Sequence, residues 1–567
     1  MLFRGISLKY FIITLIVLAV FALLGIIDRI RKERALLAEV KKNFGVAAAE
    51  EINPERYESL KAYLASLPER DSDIDSITWN DLDMDRIFLR LNHTCSAIGE
   101  EVLFAWLHRP EMSSTELLKR EHLTDLFEHD EDARIKAGRA LLRMGKMRRI
   151  SVYDYMMRLH SVKVEGNLKH YLGLVPYIAG FVLLGIGKSG AGMGVILLTA
   201  LYNLATYLTR KGQIGPYLDV VSYIARWIGA VDRMTAELSG ISNETLQEEL
   251  AALKKDAEVL RPFARGAVIL SPSDPSGGGL AELFMEYFRM LTHVDLIRFN
   301  NIYELFSKHQ EELNRMFAGT GLVDASRAVA SYRTSIGKYC VPVLHDTPMH
   351  TLKTEGIGHA LIEQPVANSI AADRPVLLTG SNASGKSTFL KTIAVNAIFA
   401  QTIHTVIAAK YEADYFHILS SMALRDDIVT KESYYIVEIR SLKRIMDAAE
   451  GDCSVLCFVD EVLRGTNTAE RIAASSRILR YLAEQKALVF AATHDLELTS
   501  LLADVYDNYH FSEQVKEDIV VFDYRLKPGK ATSRNALKLL RMMDYPEKIT
   551  DEANKAVEEF MNTGDWK

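Results

Sequence analysis

The chain has 567 residues, too many for one ordinary hydrophobic core, so two to four domains are expected. Hydrophobic residues make up 49% and charged residues 25%, which excludes a wholly disordered chain. The net charge of -7 gives no overall basic surface for nucleic acid, and four scattered cysteines exclude a disulfide scaffold and indicate a reducing compartment.

An uncharged segment near the amino terminus predicts a first membrane span. Residues 10–27 contain no Asp, Glu, Lys or Arg, and a helix of this length nearly crosses a hydrocarbon core of about 30 Å. A cleaved signal peptide is the alternative, but no small-x-small cleavage site follows and the next five residues include four charges. Residues 1–49 are therefore predicted to form an amino-terminal membrane anchor.

Two further uncharged runs predict a transmembrane hairpin over residues 171–209. They are separated by Lys188 within a glycine-rich stretch that is typical of a tight turn. A helical pair buried in a soluble domain is the alternative. Basic residues are more numerous after the first span than before it, so the positive-inside rule places the amino terminus outside and the chain after residue 211 in the cytoplasm. We expect a multi-pass membrane protein in contact with lipid, in the plasma membrane of a prokaryote.

Helical periodicity predicts an all-α core on both sides of the hairpin. Residues 50–170 and 210–340 contain few glycines and prolines outside one loop, and their apolar residues recur at helical spacing. The turn-forming segment Ser271–Gly279 is the clearest internal break. We expect these two parts to form one helical core ahead of a last domain at residues 341–567.

A β-like run, a glycine-rich loop and a helix-like pattern follow one another after residue 374. The loop reads GSNASGKST, and this order predicts a phosphate-binding loop rather than a chance match. Lys386 would reach the β and γ phosphates of a nucleotide, and Ser387 would be a ligand of Mg²⁺. The predicted nucleotide-binding residues are Gly380, Ser381, Asn382, Ala383, Ser384, Gly385, Lys386, Ser387 and Thr388.

Two further strand ends carry candidate catalytic residues. The apolar run 454–459 ends in Asp460 and Glu461, where the first carboxylate can hold Mg²⁺ and the second can polarise the attacking water. The run 488–492 is followed by His494, which is placed to sense the γ phosphate. Alternating strands and helices predict a mainly parallel α/β sheet.

These motifs resemble those of the MutS family. The resemblance rests on GSNASGKST, on DEVLRGTNTAE at residues 460–470 and on ATHDLELTSL at residues 492–501. It implies an α/β P-loop ATPase domain of the ABC/MutS type, with ATP and Mg²⁺ as cofactors and DNA as a candidate partner. Residues 431–439 resemble the family's signature loop, which implies that Ser433 acts in trans and that the working unit is a homodimer.

The chain also departs from the family. The predicted first span occupies the region before residue 80, where no mismatch-reading domain fits, and the hairpin interrupts or replaces the clamp region. We therefore expect a membrane-anchored variant that hydrolyses ATP as a dimeric switch. A transporter-like or signalling membrane ATPase without a DNA role is the alternative, although no LSGGQ-type signature precedes Asp460. A scaffold with a degenerate site is disfavoured because the key motif residues are all present.

Overall fold

A computed structural model describes residues 8–46, 54–147, 150–158, 166–267, 280–346, 349–381, 384–422, 434–463, 466–516, 519–531, 540 and 545–563. The helices are α1 (Leu8–Asn43), α2 (Pro54–Ser66), α3 (Ser76–Asp81), α4 (Met84–Leu91), α5 (Ala97–His108), α6 (Ser114–His129), α7 (Glu131–Leu142), α8 (Val152–Arg158), α9 (Leu168–Leu172), α10 (Val175–Gly185), α11 (Ser189–Glu237), α12 (Glu244–Ala267), α13 (Leu280–Thr292), α14 (Val294–Lys308), α15 (Gln310–Ile336), α16 (Lys386–Thr402), α17 (Tyr434–Ala449), α18 (Thr468–Glu484), α19 (Leu498–Leu501) and α20 (Glu547–Thr563). The strands are β1 (Val343–His345), β2 (Leu352–Ile357), β3 (Asn368–Ala372), β4 (Val376–Thr379), β5 (Lys410–Asp414), β6 (His417–Ser421), β7 (Val455–Asp460), β8 (Ala487–Thr493), β9 (Asp507–His510), β10 (Glu513–Lys516), β11 (Ile519–Phe522) and β12 (Lys527–Pro528).

Helix α15 joins the helical core to the α/β region. It is buried without interruption from Gly319 to Arg333. At Gly321 a Cβ atom would lie 2.2 Å from Val102, so glycine allows α5 to approach closely. At the far end, Arg333 donates to both carboxylate oxygens of Glu121 and to the carbonyl of His404, which follows α16. The ion pair with Glu121 lies within the helical core, and the hydrogen bond from Arg333 to the carbonyl of His404 connects this core to the α/β region.

The predicted hairpin is an apolar helical pair that is largely exposed. Among the described residues, two helical stretches are long and apolar enough to cross a membrane, Leu168–Gly185 and Ser189–Gly212, with 6% and 22% of their apolar windows buried. This exposure contradicts the alternative of a pair buried in a soluble core. The predicted boundary at residue 209 falls inside α11, which continues as one helix to Glu237.

The predicted count of three spans is not supported. Residues 10–27 lie within α1, which is helical from Leu8 to Asn43, but nearly all of their side chains are outside the described part of the chain. Only the two stretches of the hairpin meet the requirements of length and composition among the residues that can be assessed. The first span therefore stays a prediction.

Among the described residues, three sheets form the α/β region, and the smallest is the antiparallel pair of β10 with β11. The largest has the order β12-β9-β4-β8-β7-β6, and all its pairs are parallel except the edge pair of β12 with β9. Strands β4, β7 and β8 are buried at every position, as expected for a parallel sheet covered on both faces. The prediction of a helical core followed by a mainly parallel sheet is thus confirmed. A second, mixed sheet of order β1-β5-β2-β3 was not predicted.

Helices cover both faces of the largest sheet. Leu378 and Phe458 belong to a core shared with α16 and with the helical domain, whereas Leu377 and Cys457 face a second core with α17 and α18. Because β4, β7 and β8 run in the same direction, their carboxyl ends lie at one edge of the sheet. All three predicted motifs begin at that edge.

Candidate functional site

The predicted phosphate loop connects β4 to α16. Gly380 and Gly385 have φ angles of 149° and 108°, a backbone region that residues with a Cβ atom rarely adopt. A Cβ atom at Gly380 would also lie 2.8 Å from the carbonyl oxygen of Phe511. The backbone of the loop therefore requires glycine at these two positions. Asn382 and Ala383 lie outside the described residues.

Lys386 is the first residue of α16, and its side chain turns back over the loop. Its Nζ donates to the carbonyl oxygens of Gly380 and Ser381 at 2.9 and 3.0 Å. Ser384 is buried at the base of the loop, whereas Ser387 and Thr388 are exposed on the first turn of the helix. The ammonium group and the helix N-terminus thus concentrate positive potential where a polyphosphate would lie.

The acidic pair ends β7 and enters a tight turn. Asp460 is the last residue of the strand and is 8% exposed. Glu461 has a φ of 57°, in the left-handed region, and its backbone N–H donates to the carbonyl of Ala492 on β8 at 2.9 Å. The turn directs the chain away from the sheet immediately after the first carboxylate, so the two acidic residues take different positions.

His494 brings the motifs together. It follows β8, the strand between β4 and β7, and its Nε2 lies 2.7 Å from Oε1 of Glu461. The same Nε2 lies 3.4 Å from Nζ of Lys386. Lys386, Glu461 and His494, which are separated by up to 108 residues in sequence, therefore meet in one place.

The residues predicted to bind magnesium suit that ion. Mg²⁺ is usually held by one or two carboxylates together with water and substrate phosphates, so a dedicated cage of protein ligands is not required. Asp460 supplies a buried carboxylate and Ser387 an exposed hydroxyl, both hard oxygen donors. No group of three or more His, Cys, Asp or Glu side chains suited to a metal occurs among the described residues. The donor set fits a metal that is bound together with a nucleotide.

A cavity of about 420 Å³ opens beside the phosphate loop. Gly385 and Thr388 of the loop line one side of it. Burial lowers the pKa of His359, another lining residue, to about 4, so its imidazole is neutral near pH 7. The other lining residues are mostly apolar or aromatic: Ile357, Ile362, Gln364, Pro365, Val366, Asn368, Phe389, Thr392, Phe511 and Tyr524. A flat nucleoside base next to bound phosphates would match this size and lining.

Sequence reasoning missed several residues around the site. Tyr524 and Phe511 line the cavity although neither belongs to a recognisable motif. Glu438 lines a second cavity of about 150 Å³ that also contacts Asp460 and Glu461. The sequence did contain a signal for Glu438, because it follows Ser433 of the signature loop by five residues, which is a little more than one helical turn. Ser433 itself lies outside the described residues.

Comparisons with known proteins find a matching family model and similar proteins named DNA mismatch repair protein MutS. The model of the family MutS domain V matches residues 376–561. The DNA mismatch repair protein MutS of Natronomonas pharaonis is 30% identical over 269 residues, which are 45% of this chain and 31% of that protein. The protein of the same name from Streptococcus pyogenes is 23% identical over 517 residues, 83% of this chain and 60% of that protein. DNA mismatch repair protein MutS 2 of Halobacterium salinarum is 29% identical over 273 residues.

The matches cover only part of each relative. This chain spans 31% of the Natronomonas protein and 60% of the Streptococcus protein, so much of each relative has no counterpart in the alignment. The domain V match contains the phosphate loop, the acidic pair and the histidine, and the longer alignment reaches into the helical core. The carboxyl-terminal part of the chain therefore matches MutS domain V, and the longer alignment shows that the rest of the chain is similar to MutS proteins at lower identity.

Proposed function

We propose that this chain is a Mg²⁺-dependent ATPase that works as a dimeric, membrane-anchored conformational switch. The meeting of Lys386, Glu461 and His494 at one edge of the parallel sheet carries the proposal. Members of the MutS family are ATPases, and the matched domain includes all three residues. A phosphate-binding loop supports nucleotide binding, and the carboxylate beside the histidine supports hydrolysis.

Each residue has a defined role in this proposal. Lys386 exchanges the loop carbonyls for phosphate oxygens when ATP binds. Ser387 and Asp460 would hold Mg²⁺, and the bound ion would supply positive charge beside those oxygens. Glu461 orients a water molecule and accepts its proton as the water oxygen bonds to the γ phosphorus. The bond from that phosphorus to the bridging oxygen breaks, and ADP and phosphate are released. His494 holds Glu461 in position and contacts the γ phosphate.

The dimer is proposed from the resemblance of residues 431–439 to the family's signature loop. In that arrangement Ser433 of one chain completes the ATP site of the other, and ATP binding draws the two ATPase domains together. Arg333 joins α15 to the α/β region, so closure would be passed to the helical core.

Magnesium-dependent ATP turnover by the purified full-length chain tests the enzymatic part. Lys386→Ala should abolish turnover because it removes the cation that binds the phosphates. Lys410→Ala is a matched control, since this lysine of the same domain is 74% exposed and pairs only with Glu355 among the described residues. Equal turnover in wild type and Lys386→Ala would refute the proposal.

Membrane attachment is proposed from the exposed helical pair. Leu198 and Phe181 have exposed fractions of 69% and 64%, and eleven further large apolar side chains of residues 171–208 are also exposed. Soluble proteins rarely leave so large a continuous apolar surface in water. Insertion into lipid would cover it, and the opposite end of α11 would remain packed in the helical core.

DNA binding is a second candidate function, and its support is the alignment with DNA mismatch repair proteins over 83% of the chain. A transporter-like or signalling membrane ATPase without a DNA role is the alternative. Binding to plain, mismatched and branched duplexes over a salt series separates them, because contacts to phosphates weaken steeply with salt. Preference for one duplex that persists at 200 mM salt would support a DNA role, and equal, salt-sensitive binding to all three would oppose it.

A further inference from the structure

Glu438 on α17 is an acidic residue buried close to the catalytic turn. It is 5% exposed and accepts a hydrogen bond from the backbone N–H of Leu463, two residues beyond Glu461. Glu438, Asp460 and Glu461 line the same small cavity. A carboxylate that accepts from a backbone amide makes a stronger contact than a neutral acceptor does.

The turn that Glu438 contacts is unusual in its backbone. Glu461 and Leu463 both have φ angles near 60°, and neither is glycine. Such conformations persist only where surrounding contacts hold them. Among the contacts of this turn, the N–H of Glu461 donates to the carbonyl of Ala492 on β8, and the N–H of Leu463 donates to Glu438. The hydroxyl of Ser475 on α18 donates to the carbonyl of Val462 at 3.2 Å.

Helix α17 is held in place by other contacts as well. Arg444 bonds Asp75, which caps α3 of the helical core, and also the carbonyl of Ser420 on β6. Loss of the Glu438 carboxylate would therefore leave α17 docked while releasing the turn. Because α17 would stay docked without this carboxylate, an effect of Glu438 on the position of the turn can be distinguished from an effect on folding.

We propose that Glu438 is a positioning residue for ATP hydrolysis, whose carboxylate fixes the turn 461–463 so that Glu461 is aimed at the attacking water. This inference rests on the proposed function and deepens it.

Two substitutions in the full-length chain test the role. Glu438→Leu removes the acceptor at similar volume, whereas Glu438→Gln keeps an oxygen that can accept from Leu463. Ser441→Ala is the matched control, because Ser441 lines the same cavity one turn along and its hydroxyl has no hydrogen-bond partner among the described residues. The measurements are kcat, ATP affinity, thermal midpoint, and deuterium exchange of the peptide covering residues 459–466.

We expect Glu438→Leu to lower kcat at least tenfold, to change ATP affinity less than threefold and to speed exchange in that peptide. Glu438→Gln and Ser441→Ala should stay within threefold of wild type in kcat. Unchanged kcat in Glu438→Leu, equal damage in Glu438→Gln, or a parallel loss of ATP affinity and thermal midpoint would overturn the inference.

The same experiment separates this inference from the proposed function. If wild type turns over ATP no faster than Lys386→Ala, the ATPase assignment fails, and the catalytic role of Glu438 fails with it. If wild type is active and only the Glu438 expectations are missed, the ATPase assignment stands. The exchange measurement needs no turnover, so it tests the contact with Leu463 in either case.

Discussion

Lys386 and His494 meet across the end of the sheet, with 3.4 Å between Nζ and Nε2, although they belong to motifs on different strands. The same imidazole nitrogen lies 2.7 Å from the carboxylate of Glu461. One histidine thus contacts both the group assigned to the phosphates and the group assigned to the water. Its removal should affect the chemical step more than binding.

His494→Ala is expected to lower kcat by about 10²–10³-fold, the range typical of a lost positioning or acid–base group, while ATP affinity changes less than about threefold. Steady-state turnover and equilibrium nucleotide binding measure the two effects separately. His129→Ala, an exposed substitution on α6, is the control. A wild-type kcat in His494→Ala would show that His494 has no role in the chemical step.

The orientation of the hairpin can be read from cysteine labelling. Lys188 is exposed at the turn before α11, and Cys453 is exposed in the α/β region. In intact cells an impermeant maleimide should label Lys188→Cys but leave Cys453 unlabelled until the cells are opened. Wild type, which lacks the cysteine at the turn, is the control. Labelling of Cys453 before lysis would show that the α/β region lies outside the cell, opposite to the proposed topology.

Membrane retention is tested by extraction. Membranes washed with high salt or with carbonate should keep the protein in the pellet, because spanning helices bury far more apolar area than a peripheral contact does. Adding arginine at both Phe181 and Leu198 should weaken insertion of the hairpin, by about 2.5–3.5 kcal/mol for each arginine near a span centre. Full release of wild type by carbonate would contradict the proposal.

Glu101 should make stability depend on pH. Ser151 and the N–H of Val152 donate to its carboxylate at 2.9 and 2.8 Å, yet burial raises the pKa of Glu101 to about 8. Between the usual value near 4.5 and pH 8 the folded chain keeps a proton that the unfolded chain releases. The free energy of unfolding should therefore fall as pH rises through this window, by at most about 1.4 kcal/mol per pH unit.

Glu101→Gln tests this, since the amide stays neutral, its oxygen can accept from the N–H of Val152 and its NH₂ group can donate to the hydroxyl oxygen of Ser151. The difference in thermal midpoint between Glu101→Gln and wild type should increase from pH 5 to pH 8 in favour of the variant. For Glu58→Gln, a control whose side chain is 70% exposed, this difference should stay constant. If the thermal midpoints of Glu101→Gln and wild type differ by the same amount at pH 5 and pH 8, the carboxyl group does not titrate in this window.

The composite site is tested by mixing two inactive variants, Lys386→Ala and Ser433→Ala. A mixed dimer contains one site with both defects and one site with neither. Partial recovery of ATP turnover on mixing is expected if one intact site can fire alone. A fully active monomer at high dilution would rule out composite sites.

Much of the site could be predicted because parallel strands joined by helices bring their carboxyl ends to one edge. That rule alone places Lys386, Asp460 and His494 together before any coordinate is known. The mixed sheet could not be predicted in the same way, because strands such as β1 and β5 are three and five residues long and pair across more than sixty residues of sequence. Glu438 was overlooked because an acid on an amphipathic helix is usually a solvated surface residue.

The hairpin, too, could be predicted only in part from the sequence. Its apolar runs and turn were visible in the sequence, but the continuation of α11 to Glu237 was not, since the predicted span was ended where the uncharged run stops at residue 209. Beyond them the helix again carries buried apolar residues, including Ile224, Trp227 and Val231. Packing against the helical core therefore extends the helix past the predicted end.

The most direct test of hydrolysis by this chain is a comparison of wild type with Glu461→Gln in single-turnover experiments with ATP and Mg²⁺. The amide cannot accept the proton of the attacking water, whereas Asp460 and the phosphate loop remain to bind Mg²⁺ and nucleotide. Glu461→Gln should bind ATP with an affinity within about threefold of wild type and retain it uncleaved while wild type converts it to ADP. Cleavage at the wild-type rate by Glu461→Gln would contradict the account.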